Sequence, residues 1–203
     1  MSTFRKAAQA WEEISCVRFR DITAAPAAPA VRVLIQDWNS CNVNAVGYLA
    51  GKLVDMNIGN CHKTQDKGAL THELGHVLGM QHTHRRVDAT QQYKGHGPYL
   101  KVNWDNLRED LKKEFEPDPT VYVGSTARGF VPYDFQSIMH YDPRAPAKTG
   151  EDGNYLQAFT TLPNSQFDSV VGRMMLSDGD RLMVNDMYQC DSASTLPTRP
   201  KSA

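Results

Sequence analysis

The sequence has no long hydrophobic run, and none of its 203 residues lie in a stretch approaching the roughly 18 apolar residues of a membrane span. Its charge is nearly balanced, since 22 Lys and Arg face 23 Asp and Glu, giving a net charge of −1. This balance gives no reason to expect nucleic acid or an anionic membrane as a partner. The opening MSTFRKAAQAWEEISC also lacks the apolar core of a signal peptide. We therefore expect a processed domain or excised fragment, with a cytosolic protein as the alternative.

The cysteines include no CxxC pair, which would be typical of a thiolate zinc site or a redox motif. Four widely spaced cysteines are present: Cys16, Cys41, Cys61 and Cys190. An even number favours disulfides, and buried free thiols are the alternative. Four cysteines allow three pairings, among which their spacing does not choose. Disulfides would imply an oxidising compartment, so we expect a secreted or extracellular protein.

Apolar periodicity predicts both helices and strands in the first part of the chain. The predicted elements are a helix over residues 3–15, strands over 16–22 and 31–38, short strands over 41–48 and 52–58, and a helix over 66–78. Asp66 is the expected N-cap of the last of these helices.

From Thr83 onward the sequence is rich in Gly, Pro, Asp and Tyr, so loops should dominate. Two further helices are predicted over residues 103–115 and 176–190, the second with Leu182, Val184 and Met187 facing inward. The polar tail, 191–203, is expected to be disordered. We expect residues 1–190 to form one domain.

The segment THELGHVLGMQH, residues 71–82, holds three of the seven histidines. His72 and His76 are four residues apart, so they share one face of a helix and can share one metal ion. Glu73 lies close enough to touch a water on that metal without being a ligand. In an HExxH motif the metal lowers the pKa of the water toward about 7 and the glutamate takes its proton.

The third histidine requires the helix to stop. In a continuing helix His82 would lie about 240° round from His76 and point away from the metal. Gly79 can end the helix, because glycine accepts the left-handed conformation. Three neutral histidines leave zinc an open position for water, which is typical of a catalytic site. HExxH alone matches many ordinary helices, and it is Gly79 and His82 in register that favour zinc. The other four histidines are not expected to be ligands: His62, His84, His96 and His140.

A second motif stands downstream in YDFQSIMHY, residues 133–141. A methionine in a tight turn is commonly ordinary core packing, but after HExxHxxGxxH it matches the Met-turn of a metzincin. The two motifs together resemble the astacin family of zinc endopeptidases. HTHRRVD at residues 82–88 and the ending LSDGDRLMVNDMYQC are also similar to that family, and the resemblance covers roughly residues 4–190.

The resemblance implies a fold of the α+β class with two lobes around a cleft. The N-terminal lobe, about residues 1–82, would hold a twisted, mostly parallel sheet and two long helices. The C-terminal lobe, about 83–190, would be largely irregular and would end in a helix. The disulfides of the family map onto Cys16–Cys190 and Cys41–Cys61.

The resemblance also implies the functional residues. One Zn2+ would be bound by His72, His76 and His82, and Met139 would lie beneath it. Glu73 would act as general base and acid, and the Tyr141 hydroxyl would hydrogen-bond the oxyanion formed from the substrate. The substrates would be polypeptides, paired with an edge strand around residues 44–47. Arg144 is a candidate for reading an acidic residue after the scissile bond, although it also suits an ordinary surface position. Nothing indicates the oligomeric state.

One position departs from the family pattern, because Thr83 stands where the family usually has Glu. That Glu interacts with the mature N-terminus, so this chain is not expected to use that contact. A catalytically silent, zinc-stabilised peptide-binding module is the alternative function, and the retained Glu73 argues against it. A purely structural disulfide domain would leave the metal motif unexplained.

Overall fold

The computed structural model describes residues 2–22, 28–62, 67–125, 129–162 and 174–190. Within these residues the α-helices are α1 (Thr3–Ile14), α2 (Lys67–Val77), α3 (Val87–Thr90) and α4 (Asp178–Met187). The strands are β1 (Ala30–Leu34), β2 (Asn42–Val43), β3 (Leu53–Asn57), β4 (Leu100–Val102) and β5 (Phe159–Thr161). Turns of 3-10 helix cover Thr83–Arg85, Trp104–Asn106 and Glu109–Phe115.

Helix α1 begins where Ser2 accepts the backbone N–H of Arg5 at 3.2 Å, which satisfies one of the free donors of the first turn. Its apolar face packs against α2. The indole Nε1 of Trp11, a fully buried residue, donates to the carbonyl of Thr71 at 2.9 Å. The two predicted helices of the first part of the chain are therefore fixed to each other by burial and by a buried hydrogen bond.

The main sheet has the order β1–β3–β2. Strand β1 runs parallel to β3 over five residue pairs, and β2 runs antiparallel to β3 over two. The expected α+β fold with a mostly parallel sheet and two long helices is therefore confirmed. The central strand contributes Met56 to a first core, which it shares with Trp11 of α1 and with Leu70 and Leu74 of α2.

A second core lies around the antiparallel pair β4–β5 and contains Leu100, Leu107, Phe115 and Phe159. Helix α4 packs on the first core instead, through the fully buried Val184. Its start is fixed by a capping box between Ser177 and Asp180. The division into two lobes near residue 82 stays a prediction.

Two disulfides are formed, Cys16–Cys190 and Cys41–Cys61. This is the pairing that the resemblance implied. The first fixes the end of α1 to the end of the described chain, and the second joins the segments that flank β2 and β3. Both are typical of a protein that folds in an oxidising compartment.

The strand predicted over residues 16–22 is wrong. Backbone groups in this segment are satisfied locally: the Glu12 carboxylate accepts the Phe19 N–H at 2.8 Å, and the Arg18 guanidinium donates to the Val17 carbonyl at 2.7 Å. The disulfide at Cys16 also fixes the start of the segment. The alternating pattern of apolar side chains is present, but the segment pairs with no strand in the part of the chain that is described.

The single helix predicted over residues 103–115 is also wrong, because Leu107 interrupts it. Leu107 is extended, with ψ 140°, and forms a bridge with Ala147 that places its side chain in the second core. Two 3-10 helices result in place of one α-helix. In α4, Leu182 is 45% exposed, contrary to the prediction, whereas Val184 is buried.

The predicted N-cap Asp66 and the predicted tail, 191–203, lie outside the described residues. Among the described helices, none combines the length and the apolar composition that crossing a bilayer would require.

Candidate metal centre

Helix α2 ends in a Schellman motif. The N–H of Met80 donates to the carbonyl of Gly75 at 2.9 Å, and the N–H of Gly79 donates to the carbonyl of His76 at 2.9 Å. Gly79 has φ +94°, a left-handed conformation that residues with a Cβ rarely adopt. The chain therefore turns back immediately after the helix and carries His82 toward the helix face that bears the other two histidines.

The three predicted ligands meet at their Nε2 atoms. Nε2 of His82 lies 3.2 Å from Nε2 of His76 and 3.3 Å from Nε2 of His72. Zinc–nitrogen distances of 2.0–2.1 Å in a tetrahedral site imply nitrogen–nitrogen distances of about 3.3 Å. The three histidines are thus spaced as ligands of one zinc ion, and they are the group of His, Cys, Asp and Glu side chains in the described chain that could hold a metal.

The hydrogen bonds of the ring nitrogens also fit a cation. Nδ1 of His72 donates to the carbonyl of Ile138, and Nδ1 of His76 donates to the carbonyl of Met80, both at 2.8 Å. In the neutral rings, Nε2 of each then carries a lone pair. His82 Nε2 has at most one proton to share between these two lone pairs. A metal ion among the three nitrogens satisfies them all, and the bonds to backbone oxygens fix the ring orientations.

Burial favours the neutral form of two of the three histidines. Desolvation, reinforced by the charge of His82, lowers the pKa of His72 to about 4. Desolvation and the neighbouring ligand histidines lower the pKa of His76 to about 3. Neutral imidazole is the form that binds a metal, so these two rings are ready to bind zinc without losing a proton near neutral pH.

Glu73 is buried beside the histidines on α2. Desolvation raises its pKa to about 7, and the backbone of Val43, hydrogen-bonded to this carboxyl, acts in the opposite direction. A dication nearby would also lower this pKa, because opposite charge favours the ionised carboxylate. The pKa of Glu73 is therefore close to the value that suits a general base at neutral pH.

The aromatic ring of Tyr141 lies between two histidines, with centroid distances of 4.3 Å to His82 and 4.4 Å to His84. Desolvation raises the pKa of the Tyr141 hydroxyl, and the charges of Glu114 and Glu73 raise it further. The hydroxyl is therefore protonated at neutral pH and can donate a hydrogen bond.

Met139 is fully buried in the first core, and its carbonyl accepts the N–H of Thr83 at 3.0 Å. The Thr83 hydroxyl donates to Ser137 Oγ at 3.0 Å, and Ser137 Oγ donates to Asp180 Oδ1 at 2.6 Å. This chain of hydrogen bonds joins the residue after the third ligand to the Met-turn and to α4. Thr83 therefore has a defined structural role at the position where the family pattern has Glu.

The remaining predicted site residue is Arg144. It lines a pocket of about 740 Å3 together with Arg108, Lys148 and Tyr155, and neither the three histidines nor Glu73 line this pocket. His84 and His140 are buried behind Tyr141, and His140 Nε2 pairs with the Tyr133 hydroxyl at 2.8 Å. Neither joins the ligand cluster.

Several contacts at the site were not predicted from the sequence. The carbonyls of Ile138 and Met80 and the backbone of Val43 belong to residues of ordinary type, so no side-chain signal could have shown them. Glu114 Oε2 lies 3.9 Å from His82 Nδ1 and 3.2 Å from Nη1 of Arg85. A glutamate is a residue type that can partner a metal-binding histidine. Glu114 is nevertheless far from His82 along the chain, so the sequence does not show that the two meet.

Comparison with known proteins agrees with this geometry. The family model described as Astacin, a peptidase family, matches residues 1–189. Zinc metalloproteinase nas-26 of Caenorhabditis elegans is 28% identical over 197 residues, which cover 95% of this chain and 43% of the relative. Low choriolytic enzyme of Oryzias latipes is 34% identical over 122 residues, which cover 60% of this chain and 38% of the relative. The chain thus spans less than half the length of these two curated relatives.

A solved structure shows the same fold. High choriolytic enzyme 1, a hatching enzyme zinc-protease from Oryzias latipes, superposes with a TM-score of 0.71 at 24% identity, covering 93% of this chain and 82% of that one. The astacin family is zinc-dependent, and the three histidines fit this metal. Because the family model covers nearly the whole sequence, the chain belongs to the astacin family of peptidases.

Proposed function

We propose that this chain is a zinc endopeptidase that hydrolyses internal peptide bonds of polypeptides. It would hold one Zn2+ on His72, His76 and His82. The observation that carries the proposal is the convergence of three Nε2 atoms, 3.2 and 3.3 Å apart, beside a buried glutamate. When bound, zinc would supply Lewis acidity that polarises the scissile carbonyl and lowers the pKa of water toward about 7.

The residues of the chain would move the protons. Glu73 takes a proton from the attacking water and passes it to the leaving amine, which is the general base and general acid role. Its pKa is about 7 without metal, so this carboxyl can both accept and release a proton near neutral pH. Tyr141 donates a hydrogen bond to the oxyanion that develops on the scissile carbonyl, since its own hydroxyl stays protonated.

An extended substrate would pair with an edge of the main sheet. Strand β2 forms one of the two edges, and the segment that follows it is fixed to α2, because the Gly47 N–H donates to the His76 carbonyl at 2.8 Å. Backbone pairing along an edge strand accepts many sequences, so it suits an endopeptidase.

Arg144 would contribute to the choice of substrate. It shares its pocket with Arg108, Lys148 and one carboxylate, that of Asp142, and this excess of cations suits an acidic side chain of the substrate. The chain would act outside the cell, because its two disulfides persist in oxidising compartments.

The variant Glu73→Gln tests the proposal, because it removes the base and keeps the size of the side chain. We expect peptide cleavage to be abolished while zinc content stays near one per chain. Glu13→Gln, which changes an exposed glutamate of α1, is the matched control and should cleave normally. A chelator should stop the unmutated chain, and added zinc should restore it. An unmutated chain that holds zinc stoichiometrically yet cleaves no member of a peptide library would instead be a peptide-binding module.

A further inference from the structure

The three ligand histidines differ in what their second ring nitrogen contacts. Nδ1 of His72 and Nδ1 of His76 each donate to a backbone carbonyl at 2.8 Å. Nδ1 of His82 has no partner at such a short distance within the described chain, and Glu114 Oε2 lies 3.9 Å from it. Metal-binding histidines almost always donate this N–H to a carboxylate, a carbonyl or a water. The third ligand therefore lacks the close partner that the other two have, and a carboxylate lies next to it.

The position of Glu114 is fixed by two contacts. Phe115, the next residue, is 1% exposed and anchors the 3-10 helix Glu109–Phe115 in the second core. Arg85 Nη1 contacts Glu114 Oε2 at 3.2 Å, and Arg85 Nη2 contacts Asp118 at 3.3 Å. Arg85 lies in the 3-10 turn directly after His82, so the same short segment carries both the ligand and the cation that holds the carboxylate.

We propose that Glu114 is a positioning residue for the third ligand, accepting the Nδ1–H of His82 when zinc is bound, and that Arg85 holds the carboxylate in place. This inference rests on the proposed zinc site. The present distance is about 1 Å longer than a hydrogen bond. The Glu114 side chain is 35% exposed, so the core does not hold its carboxylate at this distance, and a change of rotamer would close the gap. The bond would fix the tautomer and orientation of the His82 ring and make it a stronger donor to the metal.

An ordinary surface ion pair between Arg85 and Glu114 would have different consequences. It would contribute little to stability and nothing to metal binding. If Glu114 positions His82, then Glu114→Gln should raise the zinc dissociation constant about 10- to 100-fold, the range typical of outer partners of metal ligands. Arg85→Gln should weaken zinc binding in the same direction but less, because the carboxylate remains.

The experiment compares the unmutated chain with its variants by competition against a zinc chelator. Glu109→Gln is the matched control, because it makes the same change on the same 3-10 helix at a residue that is 83% exposed and paired with Lys112. Its zinc affinity should equal that of the unmutated chain. The d–d absorption spectrum of the Co2+-substituted chain gives a second readout, and we expect Glu114→Gln to shift it because the His82 ring is less constrained.

The outcomes separate this inference from the proposed function. If the unmutated chain binds no zinc, the proposed function fails. If the unmutated chain binds zinc but Glu114→Gln keeps the same affinity and the same Co2+ spectrum, only the positioning role is overturned. Should Glu114→Gln not fold, Glu114→Asp provides the test. Glu114→Asp keeps the negative charge but shortens the side chain by one methylene, which moves the carboxylate away from His82. If Glu114 positions His82, this variant should also weaken zinc binding.

Discussion

The side chain of Met139 lies directly beneath Gly75, so that a methyl group on Gly75 would come within 2.5 Å of the Met139 sulfur. The same methyl would lie 3.2 Å from the Trp11 ring. Gly75 precedes the ligand His76 on α2. The methionine of the Met-turn therefore packs against α2 at the level of the histidine cluster, and there is no space for a larger residue at position 75.

Replacing Gly75 by Ala should lower the free energy of unfolding. Overpacking a filled core costs about 1–3 kcal/mol. Ala gains about 1 kcal/mol over Gly in a helix, so the net loss should be at most about 2 kcal/mol. Urea denaturation of the zinc-free and zinc-loaded chain measures it, and zinc affinity should also fall because the helix is displaced.

Replacing Ala by Gly at an exposed position of α2 measures the contribution of helix propensity alone. Ala69→Gly should cost about 1 kcal/mol with no effect on zinc affinity, because Ala69 faces solvent. Compared with Met139→Ala alone, the double variant Gly75→Ala with Met139→Ala should lose less stability than Gly75→Ala does in the unmutated chain, because only the 3.2 Å contact with Trp11 remains. If Gly75→Ala is as stable as the unmutated chain and binds zinc equally well, the packing between helix and Met-turn is looser than described.

Removing the hydroxyl of Tyr141 should affect the reaction and not the fold. Tyr141→Phe keeps the ring that packs between His82 and His84 and removes the hydrogen-bond donor. Loss of one oxyanion donor typically lowers kcat about 100- to 1,000-fold. We expect kcat to fall in that range with KM and zinc content little changed, measured with a fluorogenic peptide. A rise in KM with kcat preserved would assign Tyr141 to substrate binding instead.

The meeting of the three histidines was accessible from the sequence because its causes are local. A spacing of four places His72 and His76 on one helix face, and a glycine after the helix allows the reversal that returns His82. The contacts outside the ligands were not accessible. The histidines contact backbone oxygens, such as that of Ile138, and the Glu114 carboxylate lies near His82. Only the tertiary fold brings these groups to the histidines.

The errors in the secondary structure have the same origin. Apolar alternation over residues 16–22 predicts a strand, but the pattern does not show that Glu12 and Arg18 satisfy the backbone locally. The helical period over residues 103–115 is present as well. Leu107 nevertheless becomes extended, because bridging Ala147 buries its side chain completely. In both segments tertiary contacts outweigh a weak local preference.

Stability of the zinc-free chain should fall as the pH is lowered from 6.5 to 5. The pKa values of three buried histidines are below the ordinary 6.5, mainly through desolvation: His72, His76 and His84. Unfolding lets all three take up protons in this range. The pKa of Glu73 is raised to about 7 by desolvation, so the folded chain holds one proton that the unfolded chain releases.

Among these four groups the unfolded chain binds up to two more protons, three less one, so stability rises with pH. The pKa of the buried Asp180 is raised by desolvation, which acts in the opposite direction, so two is an upper limit. The slope should approach about 2.7 kcal/mol per pH unit in the middle of this range, measured from urea denaturation at several pH values. Glu73→Gln removes the opposing proton and should steepen the slope to about 4 kcal/mol per pH unit. A flat profile between pH 5 and 6.5 would contradict the burial of neutral histidines at this site.

Restoring the family's glutamate at position 83 should destabilise this chain. Thr83 is 8% exposed and is linked through the Ser137 hydroxyl to Asp180, which is 1% exposed. A second carboxylate there would be buried close to the first. The nearest guanidinium in that pocket, Arg86, already forms both of its 2.9 Å contacts with Asp88. An unpaired buried charge costs about 3–5 kcal/mol, so Thr83→Glu should lose stability in that range at pH 7.

The loss should shrink as the pH is lowered, because protonation removes the charge of the new carboxyl. Thr83→Ser, which keeps the hydroxyl, is the control and should cost no more than about 1 kcal/mol. Denaturation of both variants at pH 7 and pH 5 separates charge from size, since a purely steric effect of Glu would not depend on pH. Stability of Thr83→Glu equal to that of Thr83→Ser at pH 7 would mean that a cation reaches this pocket, because only a nearby opposite charge makes a buried carboxylate pair tolerable.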